Sequence, residues 1–252
     1  MYALITGASS GIGREMAREL ARRNYDLIIV ARRKDRLIEL KNELEGKYGN
    51  NIIVMDSDLS KPEHCVSLYK ACKDYPIRIV INNAGFGKAG AFTDLSLEDE
   101  LSMIQTNVSA VMLLTKLFAR HMKQGRILNV SSIAAFYPTP MMSTYGASKS
   151  YVLSLSRSVN YEMKKLHKNV RVSVLCPGPV QTEFNSVAGA DMDLASISAK
   201  TCAKVAISGL LKGQEVIVPG LQTKLMRYLS KIAPDFISLP LEYHIQSKKL
   251  SR

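Results

Sequence analysis

Short apolar runs alternate along the chain with longer stretches in which apolar residues recur at helical spacing. The runs fall at residues 3–5, 27–30, 52–55, 79–81, 127–130, 170–175 and 216–218. Met16, Leu20 and Ala21 follow the first run. Leu37, Leu40 and Leu44 follow the second, and Val66, Leu68, Tyr69 and Cys72 the third. A long stretch from about residue 97 to residue 122 follows the fourth. Strands buried on both faces read as continuous apolar runs, and alternation with helices is the signature of a parallel sheet. The pattern therefore predicts an α/β fold, with seven strands and about six intervening helices using the whole chain. No Pro/Gly/Ser linker or internal repeat divides it, so residues 1–252 are expected to form a single domain.

Composition narrows the class. The 252 residues are 46% apolar and 22% charged, which is globular and not disordered. The first apolar run leads straight to Thr6-Gly7, so no signal peptide is expected. No uninterrupted run of 18 apolar residues occurs, so no membrane span is expected either. The cysteines at 65, 72, 176 and 202 contain no CxxC, and the histidines at 64, 121, 167 and 244 make no ligand pattern with them. No metal site or disulfide framework is expected, and reduced thiols suit the cytoplasm. The net charge is +12. A basic excess attracts anions, but nothing resembles a nucleic-acid module, so no nucleic-acid partner is expected.

The first strand is followed by Thr6-Gly7-Ala8-Ser9-Ser10-Gly11-Ile12-Gly13 and then a helical stretch. Glycines allow backbone angles and close approaches that a Cβ blocks, and a helix N-terminus presents free N–H groups to a pyrophosphate. In this context the loop predicts dinucleotide binding through Gly7, Ser9, Ser10, Gly11, Ile12 and Gly13. About 20 residues on, at the end of the second strand, a carboxylate would hold the ribose hydroxyls of NAD. The chain instead has Arg32, Arg33 and Lys34 there. Arginine's planar fork suits a 2′-phosphate, so NADP is expected in preference to NAD.

Further along come Asn82-Asn83-Ala84-Gly85, Asn107, Ser131-Ser132 and Tyr145-Gly-Ala-Ser-Lys149. Tyr145 and Lys149 are four apart and share a helix face. An ammonium beside a phenol stabilises the phenolate, so the Tyr145 pKa is expected to fall from about 10. Such a tyrosine can give a proton to a ketone oxygen or take one from an alcohol. A serine hydroxyl can hold the same oxygen.

The loop at 6–13, Asp58-Leu59, NNAG at 82–85, Asn107, Ser132, YGASK at 145–149 and Pro177-Gly178 with Thr182 together resemble the short-chain dehydrogenase/reductase family over nearly the whole chain. The resemblance implies a doubly wound, Rossmann-type sheet of seven parallel strands and hydride transfer at nicotinamide C4. It makes Tyr145 the general acid/base and has Lys149 bind the nicotinamide ribose and tune Tyr145. Ser132 would orient the carbonyl. Asn107 would hold a water linking Lys149 to solvent, at a local break in its helix. Asp58 and Leu59 would contact adenine, and Asn83, Ala84 and Gly85 the adenosine side. Pro177, Gly178, Val180 and Thr182 would close over the nicotinamide. Position 10 is Ser where some NADP-dependent members carry a base, so the 2′-phosphate reading rests on Arg32 and Arg33, with Ser9 or Ser10 assisting. The resemblance also implies pairing as a homodimer or homotetramer, through the helices after the fourth and fifth strands.

Residues 1–130 are thus expected to be mainly the dinucleotide-binding half and 131–220 the catalytic and substrate half. Substrate specificity is expected in residues 183–197, with Phe184, Val187, Gly189, Ala190, Met192 and Leu194, facing a wall at 133–143 with Phe136, Tyr137, Met141 and Met142. Methionines and aromatics suit an adaptable apolar pocket. No cation lies there for a substrate carboxylate, so a hydrophobic ketone or alcohol is expected, whether steroid, acyl or aryl. In the extension 221–252, Leu225, Met226, Leu229 and Ile232 form one face of a helix at 222–232, with Lys224, Arg227 and Lys231 opposite. That face is expected to pack on the domain or a partner subunit, with a membrane surface and a cover over the substrate cleft as the alternatives. The leading expectation is an NADP(H)-dependent ketone reductase. The alternatives are a non-catalytic dinucleotide sensor, which has no need of Tyr145 and Lys149, and a lyase or epimerase on the same fold.

Overall fold

The computed structural model describes residues 1–184, 188, 189, 196–230 and 232–250. Strands β1 (Tyr2–Thr6), β2 (Asp26–Ala31), β3 (Ile52–Asp56), β4 (Ile77–Asn82), β5 (Gln124–Val130), β6 (Asn169–Leu175) and β9 (Val216–Ile217) form a sheet in the order β3-β2-β1-β4-β5-β6-β9. Every pairing in it is parallel. Each predicted apolar run lies in one of these strands or overlaps it. A two-stranded ribbon, β7 (Val180–Gln181) with β8 (Ile197–Ser198), is an addition that two-residue strands do not announce in sequence.

Helices cover both faces. On one lie α1 (Gly11–Ala21), α2 (Lys34–Tyr48) and α6 (Ala199–Leu211), which bury Met16, Leu20, Leu37, Leu40, Leu44, Cys202 and Ile207. On the other lie α3 (Pro62–Cys72), α4 (Leu97–His121) and α5 (Ser143–Lys165), with Leu68, Leu114 and Phe118 in the core. Burying a ring such as that of Phe118 contributes about 1.5–3 kcal/mol. Ser198 caps α6, its hydroxyl accepting from the Thr201 N–H.

Helix α4 is long and apolar enough to cross a membrane, with a mean hydropathy of 1.3. Its hydropathy has a local explanation, because Val111, Leu114 and Phe118 pack into the core. Residues Gln105–Ser109 within it form a π turn that carries Asn107.

The C-terminal extension folds as two helices, α7 (Leu221–Leu229) and α8 (Asp235–Leu250). Here the sequence expectation fails in part. Leu225, Leu229 and Ile232 are exposed, so the domain does not cover that face. Lys231 lies outside the described residues. α7 is seated instead through Thr223, which is buried, and through Arg227, whose guanidinium stacks 5.2 Å from the Phe136 ring centroid.

Strand order reverses direction between β1 and β4, both of which neighbour one another while β2 lies on the far side of β1. In open parallel sheets the ligand crevice opens at such a switch point, beyond the C-terminal strand ends.

Candidate active site

A cavity of about 500 Å³ opens at that crevice. One end is built by the turn between β1 and α1. Gly7 (φ +66°) and Gly11 (φ +54°) adopt left-handed conformations that favour glycine. A Cβ on Gly13 would strike the Gly7 carbonyl oxygen, and one on Gly11 would sit 3.1 Å from Thr182 Cγ2. Asn83 Nδ2 braces the loop by donating to the carbonyls of Thr6 (3.0 Å) and Gly7 (3.2 Å). The Thr6 hydroxyl accepts from the backbone N–H groups of Asn83 and Ala84, both at 3.0 Å. These contacts tie the end of β1 to the end of β4 and leave the amino end of α1 facing the cavity.

Arg32 and Arg33, at the end of β2, line the same end. Arg33 Nη2 donates to Ser10 Oγ (2.8 Å) and Ser9 Oγ (3.2 Å). The predicted cluster is therefore assembled. Sequence reasoning missed two further members. Glu183 and Arg36 form an ion pair, and Glu183 also pairs with Arg33 at 2.9 Å. Arg36, then Arg33, hold the Glu183 carboxyl down at about 2. Glu183 thus serves the arginine cluster, while sequence had placed it in the substrate lid.

Asp58 and Leu59 line the cavity beside Arg32. Burial pushes the Asp58 carboxyl up, but bonds from the Ser60 N–H and hydroxyl, with Arg32 and Lys61 nearby, leave it below its ordinary value. Asn83, Ala84 and Gly85 line the wall opposite, and Pro177, Gly178, Val180 and Thr182 close it from above β6. The cradle around Gly7 and Gly13, the exposed helix N-terminus and the arginines beyond it form a donor set that fits a phosphorylated dinucleotide.

Ser132, Tyr145 and Lys149 come together on the cavity wall. Ser132 follows β5, and its hydroxyl accepts from the Ala134 N–H at 3.2 Å. Tyr145 and Lys149 project from one face of α5 and are almost fully buried. Lys149 Nζ donates to the Val130 carbonyl (3.1 Å) and lies 5.6 Å from the centre of the Tyr145 ring. The expected lowering of the Tyr145 pKa is reversed in this geometry. Burial pushes the phenol up to about 12, and only a hydrogen bond with Ser132 pulls it back. Burial also brings the Lys149 ammonium down to about 8. The reason is that desolvation disfavours both charged forms, while the ammonium is engaged by a backbone carbonyl.

Asn107 is fully buried and does not line the cavity. Its Nδ2 donates to the Phe86 carbonyl (2.9 Å) and Ser148 Oγ (3.1 Å), and its Oδ1 accepts from the Phe86 N–H (3.1 Å). The expected helix break is present as the π turn. The side chain braces the loop after β4 against α5, and a Cβ on Gly85 would lie 2.8 Å from its Oδ1 and 3.3 Å from Lys149 Nζ.

On the substrate side Tyr137, Met142 and Phe184 line the cavity. Phe184 packs on Tyr145 with ring centroids 5.4 Å apart. Phe136 lies instead under Arg227, and Met141 (φ +64°) accepts from the Gly90 N–H through its carbonyl. Val187, Ala190, Met192 and Leu194 lie outside the described residues. Phe86, Met226, Glu242, Ile245 and Gln246 also line the cavity and were not named from sequence. The last four belong to α7 and α8, so the C-terminal segment covers the substrate cleft, which was one of the alternatives for it.

A family model described as short chain dehydrogenase matches residues 1–193. A very-long-chain 3-oxoacyl-CoA reductase of Candida glabrata is 31% identical over 183 residues, 64% of this chain and 52% of that protein. The chain thus spans about half of that reductase. A short-chain dehydrogenase from Sphingobium yanoikuyae, solved in complex with NADPH, is 33% identical with a TM-score of 0.82, covering 87% of this chain and 88% of its own. A bulky-bulky ketone specific alcohol dehydrogenase from Comamonas testosteroni is 28% identical with a TM-score of 0.78, covering 94% and 98%.

Proposed function

Because this chain belongs to the short-chain dehydrogenase family of oxidoreductases, we propose that it is an NADP(H)-dependent reductase of hydrophobic ketones. The observation that carries this reading is the convergence of Ser132, Tyr145 and Lys149 between the glycine loop and an apolar pocket. When bound, the reduced nicotinamide supplies the hydride. The chain's own residues do the rest. Tyr145, with its phenol held near 12, is protonated at neutral pH and suited to deliver that proton to the carbonyl oxygen. Ser132 donates to the same oxygen and stabilises its developing charge. Lys149 holds the nicotinamide ribose and presents positive charge to the phenol.

Arg32 and Arg33, with Ser9 and Ser10, favour the 2′-phosphate. The NADPH complex of the Sphingobium relative supports this choice. Met142, Phe184, Met226 and Ile245 favour an apolar substrate, and the bulky-ketone specificity of the Comamonas relative is in keeping with it. Leu97, Leu101 and Ile104, exposed along one stripe of α4, support pairing of subunits through that helix. Four free, buried cysteines suit a reducing cytoplasm.

The test is NADPH oxidation, followed by absorbance, against a panel of bulky ketones, with NADH in parallel. Faster oxidation of NADPH with at least one ketone is expected. No oxidation of either cofactor by any member would return the protein to the non-catalytic dinucleotide-binding class.

A further inference from the structure

A second cavity, of about 610 Å³, opens between α6 and α7 at the β9 edge of the sheet. Lys204 on α6 and Lys212 just after it line one side, and Lys224 and Arg227 on α7 the other. Val205, Val216, Ile217 and Val218 supply apolar surface. Among the described lining residues there are four cations and no acid.

Neighbouring groups that could neutralise these cations are engaged elsewhere. Glu215 pairs with Arg157 (3.2 Å) and Lys164 (3.7 Å) and accepts from Asn160 Nδ2 (3.3 Å). The carbonyls of Ser208, Gly209 and Leu210 at the end of α6 are closed by the backbone N–H groups of Lys212, Gln214 and Gly213. Arg227 gives one face of its guanidinium to the Phe136 ring, which leaves its N–H groups directed outward in the plane. Among the described residues none of the four cations takes part in an ion pair.

Cations of one sign around a cleft with low-dielectric walls focus the field and concentrate anions there. A phosphate ester fits such a set well, because it brings about two charges and several strong acceptor oxygens to cations on two helices. The apolar surface between the cations favours an ester with an apolar portion. α7 divides this cavity from the substrate cavity, since Thr223 and Met226 line the one and Lys224 and Arg227 the other. A group that bridges α6 and α7 therefore fastens the helix that covers the substrate cleft.

We propose that the groove between α6 and α7 is a second ligand site, which takes a phosphate monoester carrying an apolar chain and, when filled, holds α7 against α6. The site stands independently of the reductase reading.

Dodecyl phosphate below its micelle concentration, titrated by calorimetry into full-length protein saturated with NADP⁺, tests it, with phosphatidic acid vesicles as a second probe. Binding of the free ester alone identifies a soluble ligand, and binding of the vesicles as well identifies a lipid headgroup as the source. Lys204→Gln combined with Lys224→Gln is expected to weaken ester binding by roughly 10- to 100-fold. NADP⁺ affinity is expected to stay unchanged, because neither lysine lines the cofactor cavity. Lys116→Gln combined with Lys123→Gln makes the same change in net charge outside the groove and is expected to bind the ester as wild type does. Bound ester is expected to slow hydrogen exchange in residues 221–229. Equal weakening by both pairs of substitutions would reduce the site to non-specific attraction and overturn it. So would the absence of ester binding, binding that Lys204→Gln with Lys224→Gln leaves unmoved, or unchanged exchange in α7 with the ester bound.

Discussion

Glu183 Oε2 lies 2.9 Å from Arg33 Nη1, so the arginine facing the Ser9-Ser10 turn already carries a carboxylate partner. Both side chains are nearly half exposed, and an ion pair so placed contributes little by itself. A 2′-phosphate, with close to two negative charges, competes for the same guanidinium. Glu183→Gln removes the competitor and is expected to tighten NADPH binding several-fold while leaving NADH binding unchanged. The Glu183 carboxyl sits at about 2 and stays ionised from pH 5 to pH 8, so the effect should grow with pH only through the second ionisation of the phosphate, near pH 6. Weaker NADPH binding in the variant would mean that Glu183 orients the arginines for the phosphate.

Cofactor choice follows from the same cluster. A charge-assisted hydrogen bond contributes about 1.5–3 kcal/mol, which is roughly 10- to 100-fold in affinity. Arg32→Asp replaces attraction by repulsion beside Asp58 and offers the ribose hydroxyls of NADH an acceptor. Preference is expected to invert, with kcat for the better cofactor little changed. Steady-state kinetics with both cofactors decide this, and an unmoved preference would reduce Arg32 to a solvated turn residue.

Removing the Tyr145 hydroxyl leaves the glycine loop and arginines untouched. Tyr145→Phe is expected to lower turnover by about 10²–10⁴-fold with NADPH affinity nearly intact. Wild-type turnover by the purified variant would exclude Tyr145 as the proton donor.

The Lys149 ammonium, lowered by burial to about 8, gives a pH signature. Below that pH it is charged and can hold a ribose hydroxyl. NADPH affinity should therefore fall as pH rises through about 8 in wild type, and should be weaker and flat in Lys149→Met. Stability moves the other way. Between about 8 and 10.5 the unfolded chain keeps the Lys149 proton that the folded protein has lost, so this residue's own contribution raises stability with pH, against the four thiols that burial raises, which lower it. The lysine contribution is on the order of 3 kcal/mol and is the difference between wild type and Lys149→Met. Denaturant titrations of both proteins at pH 7.5 and pH 10 measure it, and the same change in stability with pH in both would contradict the burial argument.

The exposed face of Leu225 and Leu229 is expected to meet a second subunit. Replacing both with Asp should weaken self-association in analytical ultracentrifugation without lowering kcat. Salt-sensitive flotation of the full-length protein with anionic liposomes would assign that face to a membrane surface instead.

The architecture was legible in sequence because a strand buried on both faces must be continuously apolar, as 27–30 and 127–130 are, and helices between such strands must show one apolar stripe. The glycine loop and the Tyr145–Lys149 spacing were equally legible, since backbone freedom and helix periodicity are local properties. Three features were decided by the tertiary structure. The Tyr145 phenol is raised, although Lys149 is its neighbour on the helix, because desolvation depends on what surrounds both groups. Glu183 meets Arg33 across 150 residues of chain because the turn after β6 crosses the crevice above β2. Glu242 reaches the substrate half because Thr223 and Arg227 dock α7 on the Gly178 turn and on Phe136. Periodicity specifies which face of a helix is apolar. Where a helix lands, and so which of its polar residues enters a cavity, is set by contacts between segments far apart in the chain.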